Sequence, residues 1–151
     1  VDTATPKTER QHSDGSKSLI LVIEDNADIN DTISLLLEGE GYRTVSVLDG
    51  REAIEAAQLY EPDVITLDLM MPGKDGWAIA GELAENPRTQ NVPIVIITAY
   101  PLALDRELRR QVAGVITKPC HIDRVTSEID AILRRRAVEE STELAAPGPP
   151  E

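Results

Sequence analysis

Short apolar runs, separated by stretches with helical periodicity, leave few folds open to this chain. Leu19–Ile23, Val64–Leu67, Ile94–Ile97 and Val115–Ile116 are β-branched and apolar on successive positions, whereas Arg43–Leu48 alternates. Continuous runs suit parallel strands covered on both faces, and an alternating run suits an edge strand. Ile29, Ile33, Leu36 and Leu37 recur at helical spacing, as do Ala53, Ile54 and Ala57, and then Trp77, Ala80 and Leu83. Leu104, Leu108 and Val112 suggest a fourth helix, and Ile122, Val125, Ile129, Ile132 and Leu133 a fifth. Gly39 and Gly41 can close the first helix, and Asp49-Gly50 can open the second. Five strands alternating with five helices predict an α/β doubly wound sheet with right-handed crossovers.

In such sheets ligands sit beyond the carboxyl ends of the strands, near the point where the winding reverses. Four of the five runs here deliver a polar or ionised residue to that rim: Glu24-Asp25, Asp68, Thr98 and Thr117-Lys118. Asp68 is the most constrained, because Pro72, Gly73 and Gly76 follow closely and stop the strand beside it. Carboxylates gathered at one rim repel, by about 4 kcal/mol for a pair about 4 Å apart at an effective dielectric near 20. A divalent cation relieves this most cheaply, and Lys118 adds a second positive group. The two histidines, His12 and His121, are isolated, and the donors are oxygens, which favours Mg²⁺. Glu24, Asp25 and Asp68, with the Met70 backbone carbonyl, would suffice to hold it. A carboxylate beside Mg²⁺ can act as a nucleophile toward phosphorus, with the Thr98 hydroxyl and the Lys118 ammonium steadying the phosphoryl oxygens.

These residues resemble the receiver domain of two-component response regulators, the CheY-like family, over roughly Ser18–Arg136. The matching pieces are Leu21-Val22-Ile23-Glu24-Asp25-Asn26, Asp68 to Gly76, Thr98-Ala99 and Thr117-Lys118-Pro119. The resemblance implies a (βα)5 flavodoxin-like three-layer sandwich with a central parallel five-stranded sheet in the order 2-1-3-4-5. It implies Asp68 as phosphoacceptor, Asp25 as a direct Mg²⁺ ligand and Glu24 as a second metal carboxylate, acting through water. It gives Thr98 a grip on the phosphoryl group, Lys118 a pairing with the phosphate, and a cis peptide before Pro119. The implied partners are a histidine kinase or histidine phosphotransfer protein upstream and a protein target downstream. The implied purpose is phosphorelay signalling rather than turnover.

Two departures stand out. The family places Tyr or Phe three residues before the lysine, where this chain has Val115, and Cys120 follows Lys-Pro where Phe is common. The chemistry survives these changes, but the usual aromatic relay does not. A degenerate receiver that binds partners without phosphorylation is therefore the alternative reading. A Mg²⁺-dependent aspartyl-phosphate phosphohydrolase is a weaker one, since it wants a second acid where Met70 stands. Bulky Met70 and Tyr100, each two residues after a site residue, suggest that attacking water is restricted and autodephosphorylation slow. Trp77 reads as a helix residue near the pocket, Cys120 as a small buried hydrophobe, His121 as the start of the last helix, and Arg134–Arg136 as a solvated helix end.

The 27 acidic and 15 basic residues give a net charge of −12, which argues against direct nucleic-acid or anionic-membrane binding. One cysteine rules out a disulfide framework, and no apolar stretch or signal pattern points away from the cytoplasm. Residues 1–17 read as a flexible arm, 18–137 as the receiver domain, and 138–151 as a flexible Pro/Ala-rich tail too short to build an output domain.

Overall fold

The computed structural model describes residues 18–71, 75–99 and 105–145. Five strands, β1 (Leu19–Ile23), β2 (Arg43–Val47), β3 (Val64–Leu67), β4 (Ile94–Thr98) and β5 (Gly114–Thr117), form one parallel sheet in the order β2-β1-β3-β4-β5. The helices are α1 (Ala27–Gly39), α2 (Ala53–Tyr60), α3 (Gly76–Glu85), α4 (Arg106–Gln111) and α5 (Ile122–Ala145), with a 3-10 turn at Gly50–Glu52 ahead of α2. The flavodoxin-like order expected from the sequence is the order found.

Period-two alternation splits the central strands between two cores. Leu21 and Ile23 of β1 face a cluster with Ala53 and Ala57 of α2, Ile79, Ala80 and Leu83 of α3, and Leu108 of α4. Ile20 and Val22 face the opposite way, onto Leu37 of α1 and Val125, Ile129 and Ile132 of α5. The chain thus has helices on both faces, and the three inner strands, β1, β3 and β4, are buried along their whole length. The edge strand β2 is mostly half-buried or exposed, as its alternation predicts.

Side chains at the helix starts explain where α1, α3 and α4 begin. Asn26 accepts a hydrogen bond from the Ile29 amide, Asp75 from Trp77 and Asp105 from Leu108. Asp49 accepts from the Arg51 amide and so opens the 3-10 turn. Gly41, at φ 97°, makes the left-handed turn that carries the chain from α1 into β2.

Three expectations are corrected. The chain beyond residue 137 is not a loose tail at its start: α5 runs on to Ala145. Ala137-Val138-Glu139-Glu140 contains no helix breaker, and the first proline of that stretch is Pro147. Arg134–Arg136 consequently lie inside the helix, not at its end, and Arg136 is tied down. Its Nη1 donates to the Asp63 carbonyl at 2.9 Å. Cys120 is exposed, because it stands in the loop between β5 and α5 where no helix covers it. His121 does precede the last helix, its carbonyl accepting the Arg124 amide at 3.0 Å. The expected fourth helix contains Leu108, with Val112 just past its end; Leu104 and Tyr100 lie outside the described residues.

Candidate functional site

The winding of the sheet reverses between β1 and β3, and both strands end in acids there. Each strand's ladder is extended by one residue at the rim, which holds the site residues by their backbones. The Glu24 amide donates to the Val47 carbonyl at 3.1 Å, the Asp68 amide to Ile23 at 3.2 Å, and the Lys118 amide to Thr98 at 2.8 Å. Glu24, Asp25 and Asp68 each place a carboxylate oxygen within 4.8 Å of the other two.

Lys118 reaches this group from the far side of β4. Its Nζ donates to Glu24 Oε1 at 2.7 Å and to Asp68 Oδ2 at 3.1 Å. The other Asp68 oxygen, Oδ1, accepts the Met70 amide at 3.0 Å. Thr98 ends β4 in register with Thr117 and is fully buried. The Lys118-Pro119 peptide is cis. Met70 itself is exposed, and Trp77 sits in α3, half-buried against the core that contains Leu67 and Leu69.

The electrostatics are those of acids gathered around one ammonium. Burial pushes the Glu24 carboxyl up to about 7; the Lys118 hydrogen bond opposes this, while the Asp25 contact and the Asp68 charge add to it. Burial pulls the Lys118 ammonium down, but its bonds to Glu24 and Asp68 and their charges more than offset that, and it is held above its ordinary value. Three carboxylates beside one ammonium fit a hard divalent cation, which prefers oxygen donors and would favour the ionised form of Glu24.

A sequence model of the response regulator receiver domain matches residues 20–130 of this chain. The chain belongs to the response regulator receiver domain family. This receiver is 33% identical over 131 residues to the "Probable transcriptional regulatory protein TcrX" of Mycobacterium tuberculosis, covering 85% of this chain and 55% of that protein. It is 33% identical over 119 residues to the "DNA-binding dual master transcriptional regulator RpaA" of Synechocystis, covering 77% and 49% respectively. The chain thus spans about half the length of the curated relatives it matches. Those names give no support to the expectations of no output domain and no contact with nucleic acid.

Among solved structures, the receiver domain of a signal transduction histidine kinase from Syntrophus aciditrophicus superposes with a TM-score of 0.67 at 30% identity, covering 78% of this chain and 90% of that one. A CheY-like receiver from Methylobacillus flagellatus gives a TM-score of 0.72 at 24% identity, covering 78% and 99%, a likeness of fold. Receivers as a family are phosphoacceptors that work with histidine kinases or phosphotransfer proteins, and they bind Mg²⁺ at an acidic pocket. The described residues contain no helix long and apolar enough to cross a membrane.

Three buried polar residues escaped sequence reasoning. Asn30 and Ser34, on the inner face of α1, and Asp63, whose Oδ2 accepts the Leu19 amide at 2.7 Å, are all buried. For Asn30 and Ser34 the available signal was position: each is four or seven residues from Leu37 or from the other, on the face that a core helix keeps apolar.

Proposed function

We propose that this receiver accepts a phosphoryl group on Asp68 from a histidine kinase or histidine phosphotransfer protein and passes the signal on by contact with a downstream protein. The observation that carries the reading is the convergence of Glu24, Asp25 and Asp68 with Lys118 at the reversal point of the sheet. Among the described residues, the Asp68 carboxylate bonds the Met70 amide through one oxygen and Lys118 through the other. An Asp68 carboxylate oxygen attacks phosphorus; the new O–P bond replaces the P–N bond of the donor, whose imidazole leaves. Lys118 follows the added charge, exchanging a carboxylate partner for a phosphoryl oxygen, and the Thr98 hydroxyl takes another. Glu24, Asp25, Asp68 and the Met70 carbonyl would hold Mg²⁺, which would supply neutralisation of charge on the transferring group. The role is signalling in the cytoplasm, without turnover. Exposed Met70, with Tyr100, limits attacking water, so the phosphoprotein decays slowly; Tyr100→Ala should speed that decay.

Acetyl phosphate with and without Mg²⁺, followed by intact mass, tests the reading. The expected result is a Mg²⁺-dependent gain of one phosphoryl group that Asp68→Asn loses. No gain with any phosphodonor would leave the phosphorylation-independent binding module in its place.

A further inference from the structure

The acidic pocket has a support that none of its own residues provides. Asn30 is fully buried in α1, and its Nδ2 lies 3.2 Å from the Val22 carbonyl, 3.1 Å from that of Glu24 and 3.2 Å from that of Val47. Two N–H bonds therefore serve three carbonyls that converge on one point. The amide cannot be reversed, since Oδ1 would then face three acceptors. Oδ1 accepts instead from the Ser34 hydroxyl at 3.3 Å. Ser34 has spent its one proton there, so across the 3.1 Å separation from Ser46 it is Ser46 that donates. A directed chain of hydrogen bonds thus runs from β2, through α1, to the Glu24 carbonyl.

That carbonyl belongs to the peptide joining Glu24 to Asp25. Its plane sets the directions in which both side chains leave the backbone. The Glu24 amide also donates to Val47, whose carbonyl Asn30 holds, so both peptides flanking Glu24 are referred to the same buried amide. Packing alone does not require this, because an apolar side chain at position 30 would fill the same space. We propose that Asn30 is a positioning residue that aims Glu24 and Asp25 at their cation; the inference rests on the metal-binding role assigned to those acids above.

Calorimetric titration of the full chain with Mg²⁺, paired with urea unfolding of each variant, tests it. Asn30→Ala is expected to weaken Mg²⁺ binding about 10-fold or more, the range set by residues that orient ligands from behind. Leu37→Ala removes a buried contact of the same helix and is expected to lower the urea midpoint while Mg²⁺ affinity stays at the wild-type value. Unchanged affinity in Asn30→Ala, with wild type binding and Asp25→Asn impaired, overturns the positioning role. If Asn30→Ala does not fold, Ser34→Ala carries the test: a smaller loss of Mg²⁺ affinity is expected, and none overturns it. A wild-type chain that binds no Mg²⁺ overturns the assignment of the acids themselves, and this inference with it.

Discussion

The acids and the lysine of the pocket stand on different kinds of strand. Glu24, Asp25 and Asp68 follow β1 and β3, which are paired on both sides and buried at every residue. Lys118 follows β5, which pairs with β4 alone and has one fully buried residue, Ile116, among its four. The groups that must keep a fixed spacing are on the stiff interior strands. Lys118, which the proposed function asks to change partners when charge arrives, is on the more open edge strand, at the end of a flexible stem. Precision and adjustment are separated across the width of the sheet.

Core truncation breaks or sharpens this contrast most strongly. Ile23→Ala, at the residue before the acids, should cost about 2–5 kcal/mol, whereas Val115→Ala, half-buried on β5, should cost about 1 kcal/mol. Urea unfolding of the two variants measures the difference. Equal losses would show that β5 is as rigid as β1 and that the two sides are built alike.

Gly76 offers a narrower probe of the acid side. A Cβ added there would lie 2.5 Å from Leu69 Cα and 2.7 Å from its carbonyl oxygen, both backbone atoms. Gly76→Ala must therefore move the main chain next to Asp68, at a cost of about 1–3 kcal/mol. The rate of acetyl-phosphate labelling should fall by more than the unfolded fraction accounts for. A variant destabilised to that extent but labelled at the wild-type rate would show that Asp68 is not held by the Leu69 backbone.

The strand ends were legible in the sequence because a charge closing an apolar run is costly and needs a reason to be there. Asp68 and Lys118, 50 positions apart, meet because parallel strands bring every carboxyl end to one rim. Asn30 was illegible for the complementary reason. Its partners Val22, Glu24 and Val47 are backbone groups, and no residue type marks a carbonyl that needs a donor. The exposure of Cys120 and the length of α5 depend on where neighbouring helices stop, which periodicity does not set. The absence of a breaker before Pro147 was the one available hint for α5.

The pH dependence separates the two sides by window, since stability falls with rising pH at both but over different ranges. Glu24, ordinarily at 4.5, is raised to about 7 in the fold, first by burial. Between those values the folded chain keeps a proton that the unfolded chain has released, so stability falls as pH rises through this window. Lys118 is raised as well, so its contribution is complete through that range and is lost only at alkaline pH, as the folded amine deprotonates. In EDTA, Glu24→Gln should remove the decline between pH 4.5 and 7, and Mg²⁺ should flatten it in the wild type by favouring the ionised carboxylate. Urea midpoints across the range give the slope. A decline that survives Glu24→Gln would assign it to another group.

The smallest effect is expected where this chain departs most from its family. Val115 lies three residues before Lys118, half-buried against the core that contains Leu67 and Leu69. Restoring an aromatic there by Val115→Tyr adds a ring on the partly open edge strand, where it can lie without displacing a buried neighbour. Stability should shift by no more than about 1 kcal/mol. Labelling of Asp68 should also be unchanged, because Lys118 is placed by its own amide bond to Thr98 and by its two carboxylates, none of which involves residue 115. What should change is hydrogen exchange in β5 on phosphorylation, since a ring gives the Thr98 side of the pocket a body to push. Wild-type β5 should respond less than the Val115→Tyr strand. Equal responses would mean that this receiver transmits phosphorylation without any aromatic at that position, through the Lys118 exchange alone.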